Sequence, residues 1–116
     1  MSIETKLDEA KNLLLNGKLE ESKDILQHII KKQPSHYKAH TNIGAINFQL
    51  GKLDSAELSF KNAIKYNPKF EIAFFNLGIT QKKLGKLNEA ETSFKEAINL
   101  KQDYIDAITN TFMMKL

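Results

Sequence analysis

The sequence predicts an all-α solenoid, and three observations predict it. Landmark residues recur at one fixed interval of 34: Gly17, Gly51 and Gly85 each open a Gly-Lys-Leu, and Gly44/Gly78, Pro34/Pro68, Ala39/Ala73/Ala107, Ala56/Ala90, Phe60/Phe94 and Ala63/Ala97 keep the same step. A period of this length marks a stack of similar supersecondary units. Within each period the apolar spacing is helical, as in Ala56, Phe60, Ala63 and Ile64 and again in Ala90, Phe94, Ala97 and Ile98, an i, i+4, i+7, i+8 stripe. No segment alternates in the two-residue rhythm of a strand.

Seven helices follow in order, at about 3–16, 19–32, 36–50, 53–66, 70–84, 87–100 and 104–115, with ends good to a few residues. The first, third and fifth stop at Gly17, Gly51 and Gly85, where glycine takes the left-handed conformation that ends a helix. The third carries the stripe Ala39, Ile43, Ile46, Leu50, and the fifth Ala73, Leu77, Leu84. The second, fourth and sixth place Glu20, Glu21, Asp54 and Glu89 in their first turns, where the helix dipole favours negative charge. Pro34 and Pro68 close two periods, since proline is excluded from helix interiors. The seventh has Asp103 as its expected N-cap, Asp106 three residues later, and Ala107 and Ile108 continuing the first-helix pattern. The result is one domain over 1–116, with repeats at about 3–34, 37–68 and 71–102 and a C-terminal helix.

Composition narrows function by exclusion. The chain has no Cys, hence no disulfide framework, thiolate nucleophile or Cys-bound zinc. All 17 basic residues are Lys and are dispersed among 14 acidic ones, which argues against a nucleic-acid surface built from clustered Arg forks. No apolar run approaches the roughly 18 residues of a membrane span, and the N-terminus, charged within its first six residues, lacks an apolar signal core. The expectation is a cytoplasmic protein with no membrane partner. His36 and His40 stand i, i+4 but lack an obvious third ligand, so no metal, cofactor or catalytic residue is expected.

The recurring letters resemble the tetratricopeptide repeat (TPR) family over essentially the whole chain. Ala10, Gly44 and Gly78 match its small first-helix residue. Gly17, Gly51 and Gly85 match its inter-helix glycine, and Ala56–Phe60–Ala63 and Ala90–Phe94–Ala97 its second-helix Ala, aromatic and Ala. His40 and Phe74 replace the family's tryptophan, Asn47 and Gln81 its tyrosine, and Ser22, Leu26 and Ile29 make the first repeat divergent. The resemblance implies a right-handed superhelix of antiparallel helix pairs. Its first helices would line a concave groove for an extended peptide or partner helix, and such domains bind rather than catalyse.

In that groove the third helix would present Lys38, Thr41, Asn42, Ala45 and Gln49, and the fifth Ile72, Phe75, Asn76, Ile79 and Lys83. Ile72, Phe75 and Ile79 exceed what one core face needs and form an expected apolar pocket. Asn42, Asn76 and Asn110 recur at the repeat interval; an amide offers both donor and acceptor to a peptide backbone, so the three form a ladder. The family's chaperone-tail clamp, which adds cations for a C-terminal carboxylate, is not matched. Its other positions hold Leu7, Lys11, Ile72 and Asn76 in one frame, and Thr41, Ala45, Asp106 and Asn110 in the next.

The last helix ends in Phe112, Met113, Met114 and Leu116, too apolar for a solvent-facing cap. Three readings follow: further chain covers these residues, self-association does, or they stand exposed on a slightly apolar cap of a monomer. The leading reading is a non-catalytic module binding a protein or peptide segment in its groove. The alternative is a structural or oligomerisation module acting through Phe112, Met113, Met114 and Leu116, with the N-terminal adaptor part of a larger protein as one form of it.

Overall fold

The computed structural model describes residues 2–116. Among them run seven helices and no strand: α1 Ile3–Leu15, α2 Leu19–Lys32, α3 Tyr37–Gln49, α4 Leu53–Tyr66, α5 Glu71–Lys83, α6 Leu87–Leu100 and α7 Ile105–Met114. Every end lies within one residue of the range that the spacing predicts.

Local chemistry sets the hairpins. Gly17, Gly51 and Gly85 have φ of 79°, 77° and 80°. Beyond each glycine the chain bonds back onto the helix it has left: Lys18 N–H donates to the Leu13 carbonyl at 2.9 Å, Lys52 N–H to Asn47 and Lys86 N–H to Gln81, both at 2.8 Å. These bonds satisfy carbonyls that a helix end leaves open, and they reverse the chain within two or three residues. The helices that follow start on Lys18, Lys52 and Lys86 without a side-chain cap. Their first-turn acids complement the dipole instead.

Packing within a pair depends on one close approach. At Gly44 and Gly78 the rings of Phe60 and Phe94 occupy the place of a β-carbon, and both rings are fully buried. The first repeat reaches the same end with other residues. Ala10 faces the smaller Leu26, both fully buried, and the Ser22 hydroxyl donates to the Ala10 carbonyl at 2.7 Å. Volume moved from one partner to the other keeps the pair close-packed.

Each helix packs on its sequence neighbours, giving an elongated body of 47 × 26 × 21 Å. In addition α3 touches α1 and α5, while the second helices of successive pairs make no comparable contact. The first helices therefore lie on the inner, tighter side of the curve. Between the second and third pairs the buried Glu57 accepts from Lys86 Nζ at 2.9 Å and from Gln81 Nε2 at 3.5 Å, and Ser93 donates to Gln81 Oε1 at 2.6 Å.

Two sequence expectations need correction. Asp103 does not cap α7: Tyr104 is its N-cap, with no side-chain cap bond. The Tyr104 ring packs 5.0 Å from that of Phe75 and so sets the register, leaving Asp103 in solvent. Leu50 is not a core residue but the exposed C-cap of α3. Thr41 is buried, its hydroxyl donating to the Tyr37 carbonyl at 2.9 Å. No helix among the described residues is long and apolar enough to cross a membrane.

Candidate functional site

The inner face carries two hollows. The first, of about 410 Å³, is lined by Glu4, Leu7, Asp8 and Lys11 of α1, Lys38, Thr41 and Asn42 of α3, and Phe70 and Ile72 at the start of α5. The second, of about 260 Å³, lies between α3 and α5 and is lined by Ala45, Phe48, Gln49, Asn76 and Ile79, with Phe60 at its floor. Both exist because the first helices converge on this side without filling the space between them.

Seven of the ten groove residues that the spacing singles out line these hollows: Lys38, Thr41, Asn42 and Ile72 in the first, Gln49, Asn76 and Ile79 in the second. Three do not. Phe75 lies half-buried between Phe94 at 5.9 Å and Tyr104 at 5.0 Å. Lys83 places its ammonium 5.4 Å over the Phe48 ring. Asn110 is held within α7 and across to α5: its Nδ2 donates to the Asp106 carbonyl at 2.8 Å and its Oδ1 accepts from Lys82 Nζ at 3.4 Å. Asn42 and Asn76 are half-buried, and their amides make no such bond among the described residues.

Several lining residues escaped the sequence reading. Phe48, Phe60 and Phe70 supply most of the aromatic wall, and Glu4 and Lys11 supply charge opposite Lys38. Asp8, which the period places at the first-repeat position of the Asn42 ladder, does line the first hollow. No signal existed for Phe60, whose other edge belongs to the core. The first hollow pairs Glu4 and Asp8 with Lys11 and Lys38, so its charges balance.

The histidines are structural or exposed. His36 Nδ1 accepts from Ala39 N–H at 3.2 Å and caps α3. His40 donates to the Pro34 carbonyl at 2.7 Å and stacks on Tyr66 at 5.6 Å. His28 is exposed, and the charge of Lys6, followed by desolvation and the charges of Lys32 and Lys31, holds its imidazole below the ordinary value. Among the described residues no three His, Asp or Glu side chains gather as a metal site. Of the predicted interface set, Phe112, Met113 and Leu116 are exposed, whereas Met114 packs against the core of Ala90, Phe94 and Ala97.

Paired antiparallel helices, glycine hinges at a constant interval and an inner groove define a helical-repeat domain. Two family models match it, a TPR repeat over residues 44–85 and a tetratricopeptide repeat over residues 72–104, together more than half of the chain. The chain belongs to the tetratricopeptide repeat family. It is similar in structure to the first TPR domain of Spaghetti (RPAP3) bound to HSP90 peptide SRMEEVD, at 20% identity over 97% of this chain and 90% of that one, TM-score 0.93. It is likewise similar to the second TPR domain of human RPAP3 in complex with HSP70 peptide SGPTIEEVD, at 23% identity over 96% and 92%, TM-score 0.89. MamA matches at 20% identity over 97% of this chain and 66% of that one, TM-score 0.90. No curated protein sequence matches the chain significantly.

Proposed function

We propose that this domain is a non-catalytic interaction module that holds an extended peptide segment along its inner face, centred on Asn42 and Asn76. The observation that carries this is the pair of adjoining hollows, each with an apolar floor and one asparagine amide not engaged by the protein itself. An amide pairs with both the N–H and the C=O of a peptide unit, at about 0.5–1.5 kcal/mol per bond. An aliphatic side chain seated over Phe60, Phe48 and Ile79 would add about 1.5–3 kcal/mol. Together these give affinities of micromolar order at most. Asn110 joins the ladder only by releasing Lys82.

Support also comes from the RPAP3 domains, which adopt this fold with chaperone peptides bound. Those peptides end in acidic residues. Here the first hollow balances Lys11 and Lys38 against Glu4 and Asp8, so a carboxylate-rich tail gains no net attraction. An uncharged, apolar-centred segment suits the groove better.

The test is selection from a displayed peptide library, followed by titration of the selected peptide against the wild type, Asn42→Ala, Asn76→Ala and the double variant. Each single change removes two bonds and should weaken binding by about 5- to 160-fold, and the double by roughly the product. Peptides that bind the double variant as tightly as the wild type would refute this site.

A further inference from the structure

The outer face of α7 gathers five exposed apolar side chains. Ile105 is 67% exposed, Phe112 64%, Met113 55% and Leu116 83%, with Ile108 beside them. The inward side of the same helix is occupied by Ala107, buried, and Met114, packed on the core of α6.

What could cover this face is constrained by the repeat. Phe112 stands 34 residues after Gly78, which itself stands 34 after Gly44. At Gly44 and Gly78 the second helix of the same pair seats its phenylalanine, and even an added β-carbon would come within 2.5 and 2.7 Å of the ring. A whole benzyl group at that position removes the seat. A further helix of the repeat type cannot dock on α7 as α4 docks on α3 or α6 on α5.

We propose that a second copy of this chain covers the face, the two α7 helices packing antiparallel about a two-fold axis near Asn110 and Thr111. Ile105, Thr109, Phe112 and Leu116 follow one another at steps of four, three and four, the spacing of a helix–helix seam. Antiparallel pairing about that midpoint sets each Phe112 over the small Thr109 of the partner subunit, and Ile105 against Leu116 of the partner subunit. The strip is thus complementary to itself, as a two-fold interface requires. The charges at its margins, Asp106 and Lys115, are of opposite sign, and Lys115 is already paired with Glu91 at 3.4 Å. The exposed apolar side chains amount to roughly 600 Å² per copy, so two copies reach about the 1,200 Å² at which specific interfaces begin.

Light scattering on the intact chain from a few micromolar to several hundred micromolar tests this. The mass should rise toward twice the 13.2 kDa chain mass, and Phe112→Asp should remain a monomer with an unchanged circular dichroism spectrum. The chain lacks cysteine, so single cysteines report orientation under mild oxidation. Thr109→Cys lies near the axis and should form a disulfide-linked dimer. Ile105→Cys lies about 16 Å from its symmetry mate in the antiparallel arrangement and should not. A wild type that stays monomeric, a Phe112→Asp dimer, or cross-linking at Ile105 instead of Thr109 would each overturn the proposal.

Discussion

Gly44 and Phe60 are packed so closely that a β-carbon on the glycine would lie 2.5 Å from the phenyl ring, and Gly78 and Phe94 repeat the contact at 2.7 Å. Both rings are fully buried, Phe60 beside Ala56 and Leu77 and Phe94 beside Ala90 and Ala97, so a shift of either disturbs the core.

Gly44→Ala should therefore destabilise the fold, although alanine is the better helix former. The gain in propensity is about 1 kcal/mol, whereas overpacking the core costs about 1–3 kcal/mol, so the net loss is up to about 2 kcal/mol. Gly51→Ala should cost a similar amount for a different reason. Nothing lies within 4 Å of its added carbon, but its φ of 77° is unfavourable for alanine by about 1–2 kcal/mol. Gly51→Asn should recover part of that loss and Gly44→Asn none. Urea melts of the four variants separate the two causes, and equal behaviour of the two asparagine variants would contradict the assignment.

Glu57 links stability to pH. Burial raises its carboxyl, but the hydrogen bond from Lys86, the charges of Lys61 and Lys86 and the Gln81 contact together leave it below the ordinary value. A carboxylate with a depressed folded-state pKa contributes stability that is present above its unfolded pKa and lost as pH falls through the folded one. Glu57→Gln should therefore cost about 1–2 kcal/mol at pH 7, and the difference from wild type should shrink below about pH 4. Thermal melts of both proteins between pH 3 and pH 7 measure it. A gap that stays constant over that range would show that the ion pair is not the cause.

Among the described residues one buried side-chain acceptor is unpaired. Asn47 Oδ1 has no hydrogen-bond partner, and Asn47 Nδ2 reaches Ser59 Oγ only at 3.5 Å. One period later Gln81, a methylene longer, accepts from Ser93 at 2.6 Å. Asn47→Gln should let the carbonyl meet Ser59 and raise stability by about 1 kcal/mol. A lower melting temperature would mean that the space between the first two repeats does not admit the extra carbon.

The repeat was legible because its causes are local. A glycine with positive φ, a proline after a helix, acids in first turns and an i, i+4, i+7, i+8 stripe each act within a few residues, so helix ends fall within one residue of the predicted ones. The groove was legible in part. Lys38, Asn42, Ile72, Gln49, Asn76 and Ile79 line the hollows as residues on the inner face of first helices. Phe75 and Asn110 share that periodicity but are engaged elsewhere, by Tyr104 and Phe94 and by Lys82.

By itself, then, the sequence determined the helices, their hinges and their stacking order, because the 34-residue period is written in side chains that act on their own helix and its neighbour. Only the tertiary structure decided which inner-face residues stay available. It packed Phe75 between Phe94 and Tyr104, moved the α7 cap from Asp103 to Tyr104 and brought Glu57, Gln81, Ser93 and Lys86 into one network across two repeats. Those outcomes depend on distances between residues up to 29 positions apart. Such distances are set by how helices from different repeats come to rest against one another, and a periodic pattern does not encode them.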